Sequence, residues 1–418
     1  MSLEPIHIKA IQEIASGIEM DVEQEDEDSD ATDLLDFLKE LKYGSRIVLK
    51  SIGRLYRGKV DMARMSQSKD PVERTLSSDS GSTNTFLFDS GLALDFCHCA
   101  MASSPSDLDV HSKRTIVAAT YSSSANVTIN TSQDWKLFDR GNGRSRLVKI
   151  EAGLLETREK RLVHNIALYL SESEHILWMK DIFTKGDFFI MDGPIYPKQL
   201  MYWMVVPSEE VRIRYDPSAL KILQNYIDIM DHAMDNSLPL VGFVKNPEDM
   251  QIVQTLKKQE KELDIPWLVD AQFFKNVLHP SAEDSRNCIT YTNWFMQPNQ
   301  FYENMLQTTS PLMDSSLSHK YDAEDYALTF FVIYVPVMNV LFKVEAPYGL
   351  TKDDDMRHLL TRKVLYDISI GGIPQTLSKV DSIAKIRKKE RKQILGQFSK
   401  LRVDTKYNDI RWSDTDGQ

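Results

Sequence analysis

A mixed α/β sheet with flanking helices is the fold class this sequence predicts, on three observations. Apolar, β-branched and aromatic runs in "TFLFDSGLALDFCHCAMASSP" and "KRTIVAATYSSS" read as three successive strands near 85–89, 93–101 and 113–121, which short links would pair antiparallel. Helical periodicity then alternates with compact apolar strands, in "RLVHNIALYL", "SEHILWMKDIFTK", "GDFFIMDG", "PSALKILQNYIDIMDHAMDN" and "LPLVGFVK". Late strands "YALTFFVIYVP" and "NVLFKVEAP" lead into C-terminal helices, and no fixed-period repeat points to a solenoid or propeller.

The N-terminal part has a different character. "DLLDFLKELKYGSRIVLKSIGRLYRGKVDMARM" carries apolar residues at helical spacing and is expected to form an amphipathic helical extension, a packing or dimer surface. "SQSKDPVERTLSSDSGSTNT" reads as a linker from its Ser, Thr, Asp and Gly content. The organisation expected is therefore a helical and acidic extension over 1–78, a catalytic domain over 79–402 and a tail over 403–418.

Composition bounds the function. At 418 residues and 42% hydrophobic content the chain can bury one large core or two ordinary ones. No apolar run is long enough to span a bilayer, and the start lacks the pattern of a secretory signal, so a cytoplasmic location is expected. Cys97 and Cys99 sit two apart on one face of a strand, the wrong spacing for a zinc or redox pair, which leaves a role as small buried hydrophobes. The formal charge of −11 is concentrated: Glu19 to Asp36 holds ten acidic residues and no Lys or Arg, whereas Lys379 to Arg402 holds nine basic and two acidic ones. That basic segment, with Lys385, Arg387 and Lys388, is a candidate phosphate-binding surface. No GxxxxGK[ST] motif, zinc-type histidine spacing or GxSxG occurs, and Trp294 in "YTNWFMQPNQFY" is assigned to core packing ahead of base stacking.

The chemistry-bearing pattern is a set of carboxylates. Asp192 ends the apolar strand "FFIMD" and is followed by Gly193; Asp89 ends "TFLFD" and is followed by Ser90-Gly91. Two such aspartates meeting at one sheet edge repel unless a cation lies between them, and hard oxygen ligands select Mg²⁺ or Mn²⁺. A third ligand is expected from the intervening helix, with Glu174 preferred and Glu172 and Glu156 in reserve, and a fourth from Asp381 in "GGIPQTLSKVDSIAKIRKK". Asp, Glu, Asp, Asp in that order matches the plan of ribonuclease H-like nucleases, in which two metal ions act on a phosphodiester.

The set "FLFDSG", "FFIMDGPIYP", "LVGFVK", "FFVIYVP", "LFKVEAP" and "GGIPQTLSKVDSIAKI", spanning about residues 80 to 390, resembles the NurA nucleases. The resemblance implies metal-dependent cleavage of single-stranded DNA, 5′ to 3′ exonuclease action in double-strand-break end resection, a homodimer, and docking on the HerA hexameric ATPase. Carried over residue by residue, Asp89, Glu174 and Asp192 would be metal ligands, and Lys245, closing "LVGFVK", a phosphate contact. The last motif departs from the family: Ile373 stands where the family has a Tyr, and Asp381 where it has a His. Two other readings follow, a NurA-like subunit kept as an adaptor for the ATPase and another ribonuclease H-like enzyme acting on RNA or in strand transfer.

Overall fold

The computed structural model describes residues 4–17, 34–122, 124–132, 134–138, 141–151, 160–205, 216–259, 265–280, 287–298, 311–398 and 401. Most of the acidic run, Glu156 and the 403–418 tail lie outside them. One continuous mixed sheet organises the chain. Its strands are β1 (Glu40–Tyr43), β2 (Arg46–Ser51), β3 (Arg57–Asp61), β4 (Arg74–Ser82), β5 (Phe86–Leu87), β6 (Leu92–Ser104), β7 (Arg114–Ser122), β8 (Lys136–Phe138), β9 (Gly143–Lys149), β10 (Asp187–Asp192), β11 (Leu240–Val244), β12 (Cys288–Thr292), β13 (Phe295–Gln297), β14 (Leu328–Val335) and β15 (Val340–Pro347).

Its centre runs β7-β6-β4-β10-β11-β15-β14. β4 pairs antiparallel with β6, and β6 with β7, while β10 lies parallel to both β4 and β11. The three parallel strands therefore end at the same edge. Helices Lys160–Trp178 and Pro217–Asp235 cover one face, burying Leu162, Ile166, Leu170, Leu223 and Met230 over Leu76, Phe189 and Met191. Helices Asp354–Gly371 and Gln375–Ala384 cover the other, packing Val364, Leu377 and Val380 on Phe188, Ile190 and Ala100. Successive strand side chains alternate between these two layers.

Two expectations are corrected. The linker holds the central strand: "RTLSSDSGS" is β4, between β10 and β6. Its Thr75, Ser77 and Ser78 are buried although polar, because the helices press close on both sides. Ser77 Oγ donates to Thr376 Oγ1 at 2.6 Å, and a Cβ on Gly81 would stand 1.8 Å from the Ala384 carbonyl oxygen. Small side chains are a packing requirement here, and they imitate a loop composition. The domain boundary expected between 78 and 79 thus falls inside a strand.

The N-terminal amphipathic stretch is also mainly sheet. Beyond a short helical entry and the helix Met62–Ser66 it forms β1, β2 and β3, broken at Gly44 and Gly53, which have φ of +62° and +73°. These strands extend the far side of the sheet through β13 and β12, burying Leu41, Val48 and Leu49 against Ile252, Leu256 and Phe273. β1 pairs locally with β2, but the partners that tie β2 and β3 into the sheet, β13 and β12, lie more than two hundred residues away, beyond the reach of a local period.

The contact at Gly81 generates a prediction. Gly81→Ala forces the helix Gln375–Ala384 off β4, costing about 1–3 kcal/mol as overpacking does, read as a lower urea midpoint at unchanged slope.

Candidate metal centre at the carboxylate edge

Asp79 and Asp192 occupy neighbouring positions at the shared edge of β4 and β10. The last registered pair of the two strands is Ser78 with Met191, so the next residue on each is one of these aspartates, on strands about 4.8 Å apart. Asp79 shares its strand face with Ser77 and Gly81, and Asp192 with Phe188 and Ile190, all on the side of helix Gln375–Ala384, whose last turn carries Asp381. Glu172 approaches from the opposite layer on helix Lys160–Trp178. Its Oε1 accepts from Ser80 Oγ at 2.6 Å and its Oε2 from Tyr226 at 3.4 Å. Lys245, one residue past β11, donates from Nζ to Asp192 Oδ2 at 2.6 Å.

The electrostatics show what these groups lack. Burial, followed by the Asp192 charge, pushes Asp79 up to about 7, against the opposing pull of the Ser80 amide and Lys245. Burial also lifts Glu172 to about 8, with Asp79 and Asp192 adding to it and the Ser80 bond opposing. Asp192 is raised as well, by burial and Asp381, although Lys245 holds it. Asp79, Glu172, Asp192 and Asp381 thus couple electrostatically around the ends of β4 and β10, where Lys245 is the ammonium bonded to Asp192, and hard oxygen atoms of this kind suit a divalent cation such as Mn²⁺ or Mg²⁺.

The turn after Asp192 is fixed from behind. Gly193, at φ +109°, donates its N–H to the Phe243 carbonyl, and the Ile195 N–H donates to Glu345 Oε2. Glu345 is fully buried, 2.6 Å from Lys198 Nζ and 3.2 Å from Lys343 Nζ. Burial opposes its charge, but the two ammonium groups outweigh it and hold its pKa below the ordinary value.

Several sequence expectations change here. Asp89 is an exposed residue in the hairpin turn between β5 and β6, where the Gly91 N–H closes back on Phe88. Asp79 lies opposite Ala100, and β6 starts only at Leu92, so Asp89 stands roughly 25 Å down the sheet at ~3.3 Å per residue. The tripeptide Asp-Ser-Gly occurs twice, at 79–81 and 89–91, and the structure brings the first to Asp192.

Glu174 is buried but two positions from Glu172, and therefore on another face of the helix. It meets Arg144 at 3.3 Å and Asn225 Nδ2 at 3.2 Å. Asp381 is near enough for its charge to raise the pKa of Asp79 and Asp192, and Lys245 bonds to Asp192. Lys385 caps the helix that carries Asp381, and Arg387 and Lys388 follow it, all three exposed. Ile373 packs against the core under that helix, and Trp294 is buried against Phe331.

Among the described residues the tightest grouping of potential ligand atoms is a different one, Asp95, Cys97 and His164. Asp95 already accepts from Ser82, Thr83 and Thr85 and pairs with His164 Nδ1 at 3.0 Å, while burial holds the Cys97 thiol well above its ordinary pKa. It is a satisfied hydrogen-bonded strut. The carboxylate corner is the electrostatically unsatisfied one.

A mixed α/β sheet with acids brought together near the carboxyl ends of adjacent parallel strands is the class of architecture the fold and this edge define. The NurA domain model matches residues 33–386, and the chain belongs to the NurA family. No curated protein matches the sequence. Among solved structures it is similar to the NurA nuclease from Sulfolobus solfataricus, at 11% identity and a TM-score of 0.45 over 95% of this chain and 97% of that one. It is also similar to NurA with manganese, at 10% and 0.41 over 94% and 98%. For NurA bound to dAMP and manganese the values are 10% and 0.36, over 98% and 99%.

The repulsion has a measurable sign. The raised pKa of Asp79 means that the folded state favours its protonated form, so stability is lost as pH climbs from the unfolded value near 4 towards 7. Asp79→Asn removes that loss. In chelator the variant melts about 1–3 °C above the parent at pH 8 and level with it near pH 4; a lower melting point at pH 8 would contradict the geometry.

Proposed function

We propose that this chain is a metal-dependent DNA nuclease of ribonuclease H-like plan, and the observation that carries the reading is the convergence of Asp79, Glu172, Asp192 and Asp381. The central order β7-β6-β4-β10-β11, with helices on both faces, supports that plan. Membership of the NurA family supports the substrate class, and the manganese named for related NurA structures supports Mn²⁺ or Mg²⁺ as the ion. Asp79 and Asp192 would hold the metal from the strand ends, Glu172 from one layer and Asp381 from the other. When bound, such ions activate a water and stabilise the leaving oxygen of a phosphodiester.

The remaining groups have defined tasks. Ser80 and Tyr226 orient Glu172. Lys245, about one-third exposed, opposes the rise that burial imposes on the Asp192 pKa and would meet a substrate phosphate there. Gly193 leaves the approach to Asp192 open, since no heavy atom other than its own neighbours lies within 4 Å of its missing Cβ. Lys385, Arg387 and Lys388 supply cations beside Asp381. Single-strand endonuclease and 5′ to 3′ exonuclease action in end resection, a homodimer and a HerA-type hexameric ATPase complete the reading. They rest on the family, as does a cytoplasmic location; no described helix is long and apolar enough to cross a membrane.

A second reading is favoured by Ile373, an apolar residue at the family's Tyr position, and by Lys245 occupying Asp192: an adaptor for the ATPase that no longer cleaves. Purified protein with Mn²⁺ separates the two on a labelled single strand. The nuclease reading predicts cleavage, a loss of about 10²-fold or more in Asp79→Asn, Asp192→Asn and Glu172→Gln, and near-parent activity in Asp89→Asn. Inertness of the parent, alone and with its ATPase, establishes the adaptor instead.

A further inference from the structure

Beyond the metal corner, β6, β7 and β9 run on past the ends of β4 and β10. This projecting part of the sheet carries a cleft of about 820 Å³. Its floor is apolar: Leu94, Phe96, Ile116 and Leu147. Phe398 closes one side, with its ring 5.8 Å from that of Phe96, and the segment through Val127 and Ile129 stands over the other. Leu94 and Phe96 lie on the same face as Ala100, the residue opposite Asp79, so the cleft and the carboxylates open on one face of the sheet.

Around the edge of β9 a second hollow of about 630 Å³ adjoins the first, and Thr131, Ser132, Arg146 and Leu147 line both. Its character is different. Arg146, Lys149 and Lys221 line it with the acid Glu151, and Lys221 also stands 3.9 Å from Glu174 Oε1, which leaves one net positive charge. Local excess positive charge in a chain of net charge −11 marks a place for anions. Lys149 and Lys221 are exposed, and Arg146 is braced over the Trp135 ring at 6.0 Å.

An apolar slot for flat rings beside a cationic hollow is the chemistry of a nucleotide, with the base in one and the phosphate in the other. We propose that this paired cleft is an accessory subsite for a single strand, holding an unstacked base over Leu94, Phe96 and Leu147 and the adjoining phosphates at Arg146, Lys149 and Lys221. The proposal rests on the nuclease reading and adds to it a second point of contact. Leu94 is six residues along β6 from Ala100, roughly 20 Å, a distance of about six stacked nucleotides at ~3.4 Å each. Short strands cut at the carboxylates would therefore miss the subsite, and longer ones would reach it.

Binding and cleavage test the two claims separately. In chelator, a fluorescent single strand of about twenty nucleotides binds Lys149→Glu and Arg146→Gln about tenfold more weakly than the parent, with a shallower salt dependence, whereas a strand of about four nucleotides binds all three alike. Replacing the bases of the long strand with abasic sites at the subsite distance weakens binding to the parent alone. Equal affinity of parent and Lys149→Glu for the long strand overturns the subsite, and so does indifference of the parent to abasic positions. Thermal melting confirms that the exposed Lys149→Glu change leaves the fold intact. Mn²⁺-dependent cleavage of the short strand by the parent reports on the carboxylate corner alone, so failure there counts against the nuclease reading and a loss of length dependence counts against the subsite.

Discussion

Repulsion between acids that the fold places side by side is the constraint on which the rest of the structure depends. Two parallel strands carry aspartates side by side, Asp192 at the end of β10 and Asp79 on β4 just past its last pairing with β10, and a helix on either side adds another carboxylate. A fold does not retain such a corner for stability, because burial and like charge both disfavour the ionised forms. The surrounding architecture resists the obvious relief, which is for the acids to move apart. Ser80 pins Glu172, the Glu345 network pins the turn after Asp192, and the closeness of Gly81 to Ala384 pins the helix of Asp381. With movement resisted, the repulsion is relieved by protonation at low pH and by a bound cation at higher pH, and Lys245 provides one part of that relief at a single carboxylate.

The same packing demand explains which parts of the fold could be read from the sequence. Strands β6, β7, β10, β11, β14 and β15 and the two long helices of one layer announce themselves by apolar runs and helical periods, and Asp192 follows from a strand ending in a turn. β4 does not. At the middle of the sheet, under helices on both faces, it uses Ser, Thr and Gly to admit close backbone approach, and composition alone assigns those residues to a loop. Losing that strand displaced the first acid by ten residues, to a second Asp-Ser-Gly that is a hairpin turn.

The preference for Glu174 over Glu172 differs from the placement in the structure, where Glu172 bonds to Ser80 and Glu174 to Arg144, for a related reason. Both lie on one helix, two residues apart, and which of them faces the acids depends on where β4 runs beneath it. With β4 unrecognised there was no reference for the helix face. Asp381 and Lys245 needed no such reference: Asp381 lies in the last turn of its helix and Lys245 directly follows β11. The N-terminal strands were hidden differently: Leu41, Val48 and Leu49 fit a helical period as well as a strand, and the strand wins through pairing with β13 and packing on the helix Gln251–Gln259.

Anomalous diffraction from crystals soaked in Mn²⁺ tests the central claim most directly, because it locates the cation without reference to activity. The account predicts density between the carboxylates of Asp79 and Asp192, within ligand distance of Glu172 or Asp381, with Lys245 withdrawn from Asp192. Manganese bound elsewhere, or a corner that stays empty of metal with Lys245 still on Asp192 at saturating Mn²⁺, would contradict it.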